Sequence, residues 1–274
     1  MIDNAPLISI IIPCYNNSDT LIETLQSIQL QTYLNTEIII VDDCSVDDSF
    51  KLAQTYILEK KINGNVYKNN SNQGPSVSRN KGVNEASGKY LLFLDADDLI
   101  EKTYIKKCID LLENRADLNI IYSEAEFFGS KNGKWELPDF KLPDFLINNC
   151  IPVSSVIKKE VFDELGGFDE KLRFTEDWEL WIRIISNFGG VYKIPEVLFY
   201  YRKRNDNSSL TDNMNLNSLD EHSRLHIYNK HYNFYKKNGF DITSLISSKI
   251  ANEYYKNKYY NQWFKKLFYR IKRK

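Results

Sequence analysis

The sequence predicts an α/β fold, with a mostly parallel central sheet flanked by helices and a C-terminal helical extension. Three observations carry this. The runs LISIII, EIIIV and YLLFL are continuous, apolar and of strand length, as expected for strands buried on both faces. Segments with helical spacing of apolar residues separate them. From Met214 onward the pattern is helical almost to the end, and no internal repeat is visible.

Each element has its own signal. Residues 7–12 (LISIII) form a strand ended by Pro13. Residues 19–31 place Leu21, Ile22, Leu25 and Ile28 on one helical face, with Ser18 or Asp19 as cap. Residues 37–41 (EIIIV) are a second strand, followed by Asp42-Asp43-Cys44-Ser45 and a helix over 47–60. Residues 65–68 are a short third strand. The helix over 75–86 opens on Pro75 and stops at Ser87-Gly88, the usual asymmetry of helix ends. Residues 90–94 (YLLFL) are a fourth strand, running into Asp95-Ala96-Asp97-Asp98, with a helix starting near Ile100. This βαβαβαβ order implies parallel strands, whose ligands bind at the carboxyl ends. The second half is mixed: strands over 119–128, 153–158 and 198–201, a hairpin tip over 129–133, and helices over 160–165 and 176–187. The α/β domain is assigned to residues 1–212 and the helical extension to 213–274, with 202–212 a polar loop.

Composition bounds the function. The chain has 274 residues, 42% hydrophobic and 27% charged, with a formal net charge of -1, which excludes wholesale disorder. No apolar run approaches the roughly 18–20 residues of a membrane span, and residues 1–6 carry no signal-peptide pattern. Cys14, Cys44, Cys108 and Cys150 are scattered, so reduced thiols are expected rather than disulfides or a zinc site. The charge is unevenly spread. Residues 255–274 hold eight basic and no acidic side chains, which leaves 28 basic and 37 acidic ones in residues 1–254. The body should repel nucleic acid, while the tail should seek an anionic surface.

Three constellations can carry chemistry. Asp95 and Asp97 follow a buried strand and, two residues apart, can converge on one hard cation. The plain alternative is turn chemistry, with Asp98 capping the next helix. Pro13-Cys14-Tyr15-Asn16 and Asp42-Asp43 end neighbouring strands, where an aromatic can stack on a base and a carboxylate can accept a base N–H. Turn formation is again the alternative. Thr175-Glu176-Asp177 opens the helix EDWELWIRI. Here a cap and first-turn acids would stabilise the helix by about 0.3–1 kcal/mol. Alternatively, the helix end would hold Asp177 ionised as a general base.

The strings SIIIPCYNN, EIIIVDDCSVDDS, NQGPSVSRNKGVNEASGKYLLFLDADD and GGFDEKLRFTEDWELWIRI, in this order over roughly residues 7–201, resemble an inverting family-2 glycosyltransferase of the GT-A fold, of the bacterial surface-polysaccharide type. The resemblance implies a nucleotide-sugar donor, a UDP-sugar above all, and Mn²⁺ or Mg²⁺. It puts Pro13 and Tyr15 beside the nucleoside, Asp43 at the base edge and Arg79 along the nucleotide-sugar site. Asp95 would touch ribose or sugar, and Asp97 would be the chief metal ligand. Asp177 would be the catalytic base and Glu176 would shape the acceptor site. Arg202 or Arg204 would neutralise the leaving diphosphate, in place of the histidine some relatives carry there. The chain lacks the QxxRW segment of processive synthases, so one transfer per binding event is expected.

The tail bears on the acceptor. Tyr260, Trp263, Phe264, Leu267, Phe268 and Ile271 share one helical arc with lysines and arginines mostly elsewhere, a pattern that suits an anionic membrane interface or packing on protein. The first implies a lipid-linked glycan acceptor and a cytoplasmic protein peripheral to the inner face of the plasma membrane. Two other readings compete. A nucleotidyltransferase acting on sugar phosphates would share the nucleotide site without needing Asp177. An inactive relative could serve as a membrane-surface scaffold. His222 and His226, four apart on a helix, read as surface residues, and Trp178 and Trp181 as core or acceptor-wall aromatics.

Overall fold

The structure, a computed structural model, describes residues 5–204 and 216–255. The chain divides into two compact units, Met1–Arg224 and Leu225–Lys274. The expected boundary at 212/213 lies outside the described residues, as does the basic tail from 256 onward.

The first unit is built on one sheet. Strand β1 (Ile8–Cys14) pairs in parallel with β2 (Thr36–Asp42) and β4 (Tyr90–Phe93), and β2 with β3 (Gly64–Lys68). The apolar runs fill the centre of this half because β1, β2 and β4 are covered on both faces. Helices α1 (Leu21–Gln29) and α2 (Ser49–Glu59) belong to the main core cluster with Ile8, Ile10 and Ile12. Helix α3 (Pro75–Asn84) packs on the opposite face, where a Cβ on Gly82 would come within 2.5 Å of Ile11 Cγ2. Only glycine lets the helix approach that closely.

The rest of the sheet is mixed. Its order continues from β4 to β8 (Val156–Lys158), β6 (Ile120–Gly129), β9 (Val191–Lys203) and β5 (Leu99–Ile100), with β7 (Gly133–Trp135) hairpinned onto β6. Strand β8 is antiparallel to both its neighbours, whereas β6 and β9 run parallel. Helices α4 (Tyr104–Asn114), α5 (Leu142–Phe145), α6 (Lys159–Leu165) and α7 (Glu176–Asn187) fill the connections.

Three elements differ from expectation. The helix expected near Ile100 begins at Tyr104, because Leu99 and Ile100 instead pair with Tyr200 and Phe199 of β9. The strand expected over 198–201 is the end of a 13-residue strand. Its register against β6 shifts between Ser123↔Ile194 and Glu124↔Val197, so the irregularity absorbs Pro195, which has no N–H for a ladder. The strand expected over 153–158 is confined to Val156–Lys158, since Ser155 turns back onto Pro152 and Val153. All four cysteines are free, and burial raises the Cys14 thiol to about 12.

The second unit holds the end of α8 (Leu216–Lys230), α9 (Tyr232–Lys237) and α10 (Ile242–Tyr255). Tyr228, Tyr232, Tyr235 and Phe240 form its aromatic centre. Among the described residues no helix is long and apolar enough to cross a membrane.

Candidate functional site

Parallel register brings the motif loops together. Cys14 lies opposite Asp42, and Ile11 opposite Phe93, so the carboxyl ends of β1, β2 and β4 form one edge. The loop after β1 is laced to the loop after β2. Asn16, at φ 52°, donates its N–H to Ser45 Oγ and accepts from Val46 N–H, while Asn17 and Ser18 donate to Ser49 Oγ and Asp47. Pro13, expected to end the first strand, lies inside β1 opposite Val41, and Tyr15, just past the strand's end at Cys14, stands 46% exposed beside this lacing, open to stacking. Asp43 is 4% exposed. Its Oδ1 accepts from Asn69 Nδ2 at 2.8 Å and Gln73 N–H at 2.9 Å, and its Oδ2 from Gly74 N–H at 2.7 Å. The carboxylate thus fixes the turn into α3, and a base edge would have to share these acceptor sites.

Helix α3 organises the other half of the site. Its Ser76 Oγ donates to the Leu172 carbonyl, and Asn80 exchanges hydrogen bonds with Phe168, fastening the GGFDEKL segment. Between them lies Arg79, 3% exposed. Its Nη2 reaches Asp95 Oδ1 at 2.7 Å and its Nη1 reaches Glu176 Oε1 at 2.6 Å. Phe168 lies under the guanidinium at 5.5 Å. One buried cation therefore joins two motifs 81 positions apart in the chain. The two carboxylates hold the guanidinium protonated although burial opposes it. Glu176, expected to shape the acceptor site, turns its carboxylate toward this link.

The turn after β4 is crowded with acid. Asp98 is buried, accepts the Arg202 N–H at 2.9 Å on Oδ1, and leaves Oδ2 without a partner. Burial, then the charges of Asp97 and Asp95, push it well above the usual carboxylate range. It does not cap a helix. Asp97 is raised by the same causes, burial first and Asp95 second. Its Oδ2 accepts from Arg204 Nε at 3.0 Å. Arg202 faces elsewhere: Nε to the Asp97 carbonyl, Nη2 to Glu23 at 2.5 Å, and its plane over Phe128 at 4.3 Å. Of the two arginines considered for the diphosphate, Arg204 is the one on the DxD carboxylate.

Among the described residues no group of three His, Cys, Asp or Glu side chains is placed to hold a metal ion. The acidic turn nevertheless fits a divalent cation. Mg²⁺ or Mn²⁺ binds through one or two carboxylates plus substrate phosphates, and here three carboxylates in four positions repel one another, with a buried oxygen orphaned. Asp97 would hold such an ion.

Asp177 opens α7 beside Glu176. Its Oδ1 accepts from Trp178 N–H at 2.7 Å and its Oδ2 from Asn149 Nδ2 at 3.0 Å. The expectation that the helix end holds it ionised is overturned. Burial and the Glu176 charge raise it to about 7, outweighing the Trp178 N–H and Arg79. Nor does Thr175 cap the helix: at φ 59° its hydroxyl donates to the Phe174 carbonyl instead. Trp178 and Trp181 are buried, donating to the Phe145 and Ile151 carbonyls. Sequence reasoning missed Asn149 and Asn69, because single amides in loops carry no periodic signal, and Gln73, because it acts through its main-chain N–H.

The family model for glycosyl transferase family 2 matches residues 9–166. The chain belongs to glycosyl transferase family 2. The transferase is 32% identical over 235 residues to an uncharacterized glycosyltransferase of Haemophilus influenzae, covering 80% of this chain and 76% of that one. It is 33% identical to an uncharacterized glycosyltransferase of Rickettsia felis, covering 68% of this chain but 32% of that one, so it spans about a third of that relative. It is 31% identical to the minor teichoic acid biosynthesis protein GgaB of Bacillus subtilis, over 73% of this chain and 23% of that one. Among solved structures, S. aureus TarS 1-349 in complex with UDP-GlcNAc superposes with TM-score 0.64 at 22% identity, covering 85% of this chain and 74% of that one. The mannosyltransferase PcManGT from Pyrobaculum calidifontis, in complex with GDP-Man and Mn2+, gives TM-score 0.61 at 16% identity, covering 75% and 59%. The transferase has the GT-A fold these likenesses share, with its mixed sheet and helical C-terminal part.

Proposed function

We propose that the transferase moves a sugar, with inversion, from a nucleotide diphosphate donor to an acceptor hydroxyl in one transfer per binding event. The observation that carries this is the Arg79 link, which sets the acidic turn after β4 and the first turn of α7 around one buried cation. The nucleoside lies against Pro13 and Tyr15, with Asp43 and the Gln73–Gly74 turn at the base edge. Asp97 would hold Mn²⁺ or Mg²⁺, which would supply charge neutralisation for the departing diphosphate. Arg204 adds positive charge on the same side. Asp95 orients ribose or sugar. Asp177 takes the acceptor proton on the opposite ring face, as a base does in inverting hydrolysis. With its proton affinity near neutrality it is matched to that task.

A UDP-sugar donor is favoured by the UDP-GlcNAc complex of TarS, and a glycan of the cell-surface polymer class as acceptor by the name of GgaB. A lipid-linked acceptor at the inner face of the plasma membrane fits the basic aromatic tail. A thermal-shift screen of nucleotide sugars with Mn²⁺ identifies the donor. Stabilisation by UDP-sugars, lost on adding EDTA, supports this reading. Indifference to every nucleotide sugar would remove it. Deleting 255–274 should abolish sedimentation with anionic vesicles, and unchanged sedimentation removes the membrane role.

A further inference from the structure

We propose that Asn149 is a positioning residue for Asp177, its amide fixing which carboxylate lone pairs face the acceptor. This rests on the reading of Asp177 as base, and the test separates the two. Among the described residues Asn149 Nδ2 is the donor from outside α7 that reaches the Asp177 carboxylate, at 3.0 Å on Oδ2. The other donor, Trp178 N–H on Oδ1, belongs to the next residue in the chain.

Two features make this contact a fixed one. Asn149 Oδ1 accepts the Ile151 N–H at 3.0 Å, so its amide nitrogen is turned to Asp177. The loop that carries it is fastened on both sides, to α7 and to Arg224 of α8. Trp178 Nε1 donates to the Phe145 carbonyl at 2.9 Å, Trp181 Nε1 to the Ile151 carbonyl at 3.1 Å, and Arg224 Nη1 to the Ile147 carbonyl at 2.7 Å. The charged groups facing Asp177 make a neutral donor useful. Glu176 on its own helix and Asp95 after β4 are both negative. Arg79 of α3, the cation whose charge lowers Asp177, gives its two terminal nitrogens to those same carboxylates. An amide N–H favours the ionised form against its two acidic neighbours, without neutralising the base.

The test is a pH titration of the Asp177 carboxyl carbon by NMR in the full chain with ¹³Cγ-labelled aspartate, the resonance being identified by its loss in Asp177→Asn. Asn149→Asp keeps an acceptor for Ile151 N–H and replaces only the donor, and Asn149→Ala removes both. The Asp177 midpoint should rise in each, by about one pH unit for the lost donor, or about tenfold in proton affinity, and further for the aspartate. The limb of the pH–rate profile for the donor selected by the thermal-shift screen should move with it. A purely structural role would lower the rate evenly at all pH. An unchanged midpoint in Asn149→Asp, with Asp177→Asn inactive, overturns the role of Asn149 alone. Asp177→Asn with intact transfer overturns the base reading itself.

Discussion

The site contains two acidic clusters that the same residue types fill differently. After β4, Asp95, Asp97 and Asp98 are met by three arginines: Arg79 on Asp95, Arg204 on Asp97 and the Arg202 main chain on Asp98. At the start of α7, Glu176 shares Arg79, whereas among the described residues Asp177 receives neutral N–H donors. The first cluster is organised to meet positive charge, and a metal suits it. In the second, among the described residues, one carboxylate has no ion pair, its proton affinity raised to about 7 by burial and Glu176. Environment, not residue identity, separates the two clusters.

The strongest way to break this contrast is Asp177→Asn. It should lower sugar transfer by about 10²–10⁴-fold, the range for loss of a general base, while nucleotide-sugar binding by calorimetry stays unchanged. Equal loss of binding would put Asp177 in the donor cluster. Arg79→Met tests the link between the clusters. Two carboxylates would lose a buried partner, which costs on the order of 3–5 kcal/mol, read as a lowered urea midpoint. A variant as stable as the parent would mean that the clusters stand independently.

How much of this was legible from sequence follows the same physics. Strands β1, β2 and β4 were readable because burial on both faces writes continuous apolar runs. Strand β9 was readable only at its end, because Pro195 and Glu196 interrupt the run and the register shift that accommodates them is a tertiary feature. Asp95, Asp97, Glu176 and Asp177 could be named from motifs. That Arg79 spans them could not, since the contact depends on α3 docking over Gly82. The raised proton affinity of Asp177 is illegible in the sequence for a related reason. Local N–H groups are visible in sequence, whereas the burial that outweighs them belongs to the folded chain.

The donor cluster should respond to cation and nucleotide together. At a ligand concentration about 100 times Kd, binding adds roughly 2.7 kcal/mol to apparent stability. EDTA should remove that gain and the activity, and Asp97→Asn should remove the cation dependence. Activity that persists in excess EDTA contradicts the metal role of Asp97.

The acceptor cluster should respond to pH. A base must be ionised, so turnover should be half-maximal near pH 7 and fall about tenfold per unit below it. Stability runs the other way. Asp177 is raised above its ordinary 3.8, so the folded chain holds that proton more tightly than the unfolded one. Its contribution is fully present below about pH 4 and is lost as pH rises through about 7. Asp177→Asn should flatten stability over that interval. Unchanged slopes in denaturation series at pH 4, 5, 6 and 7 would mean that Asp177 titrates as an ordinary carboxylate.

The smallest effect separates the two arginines at the end of β9. Arg204 Nε bonds the Asp97 carboxylate, so Arg204→Ala removes charge from the place proposed for the departing diphosphate. Donor affinity should fall about tenfold, the worth of one charge-assisted hydrogen bond. Arg202 spends its guanidinium on Glu23, the Asp97 carbonyl and the face of Phe128. Arg202→Ala should therefore cost about 1 kcal/mol of stability and leave donor affinity within about twofold, because its Glu23 pair is solvent-screened and its main contribution is packing. Nucleotide titrations of the two variants decide between them. If Arg202→Ala is the one that loses affinity, the guanidinium leaves Glu23 when donor binds, and the positive charge on the diphosphate comes from Arg202.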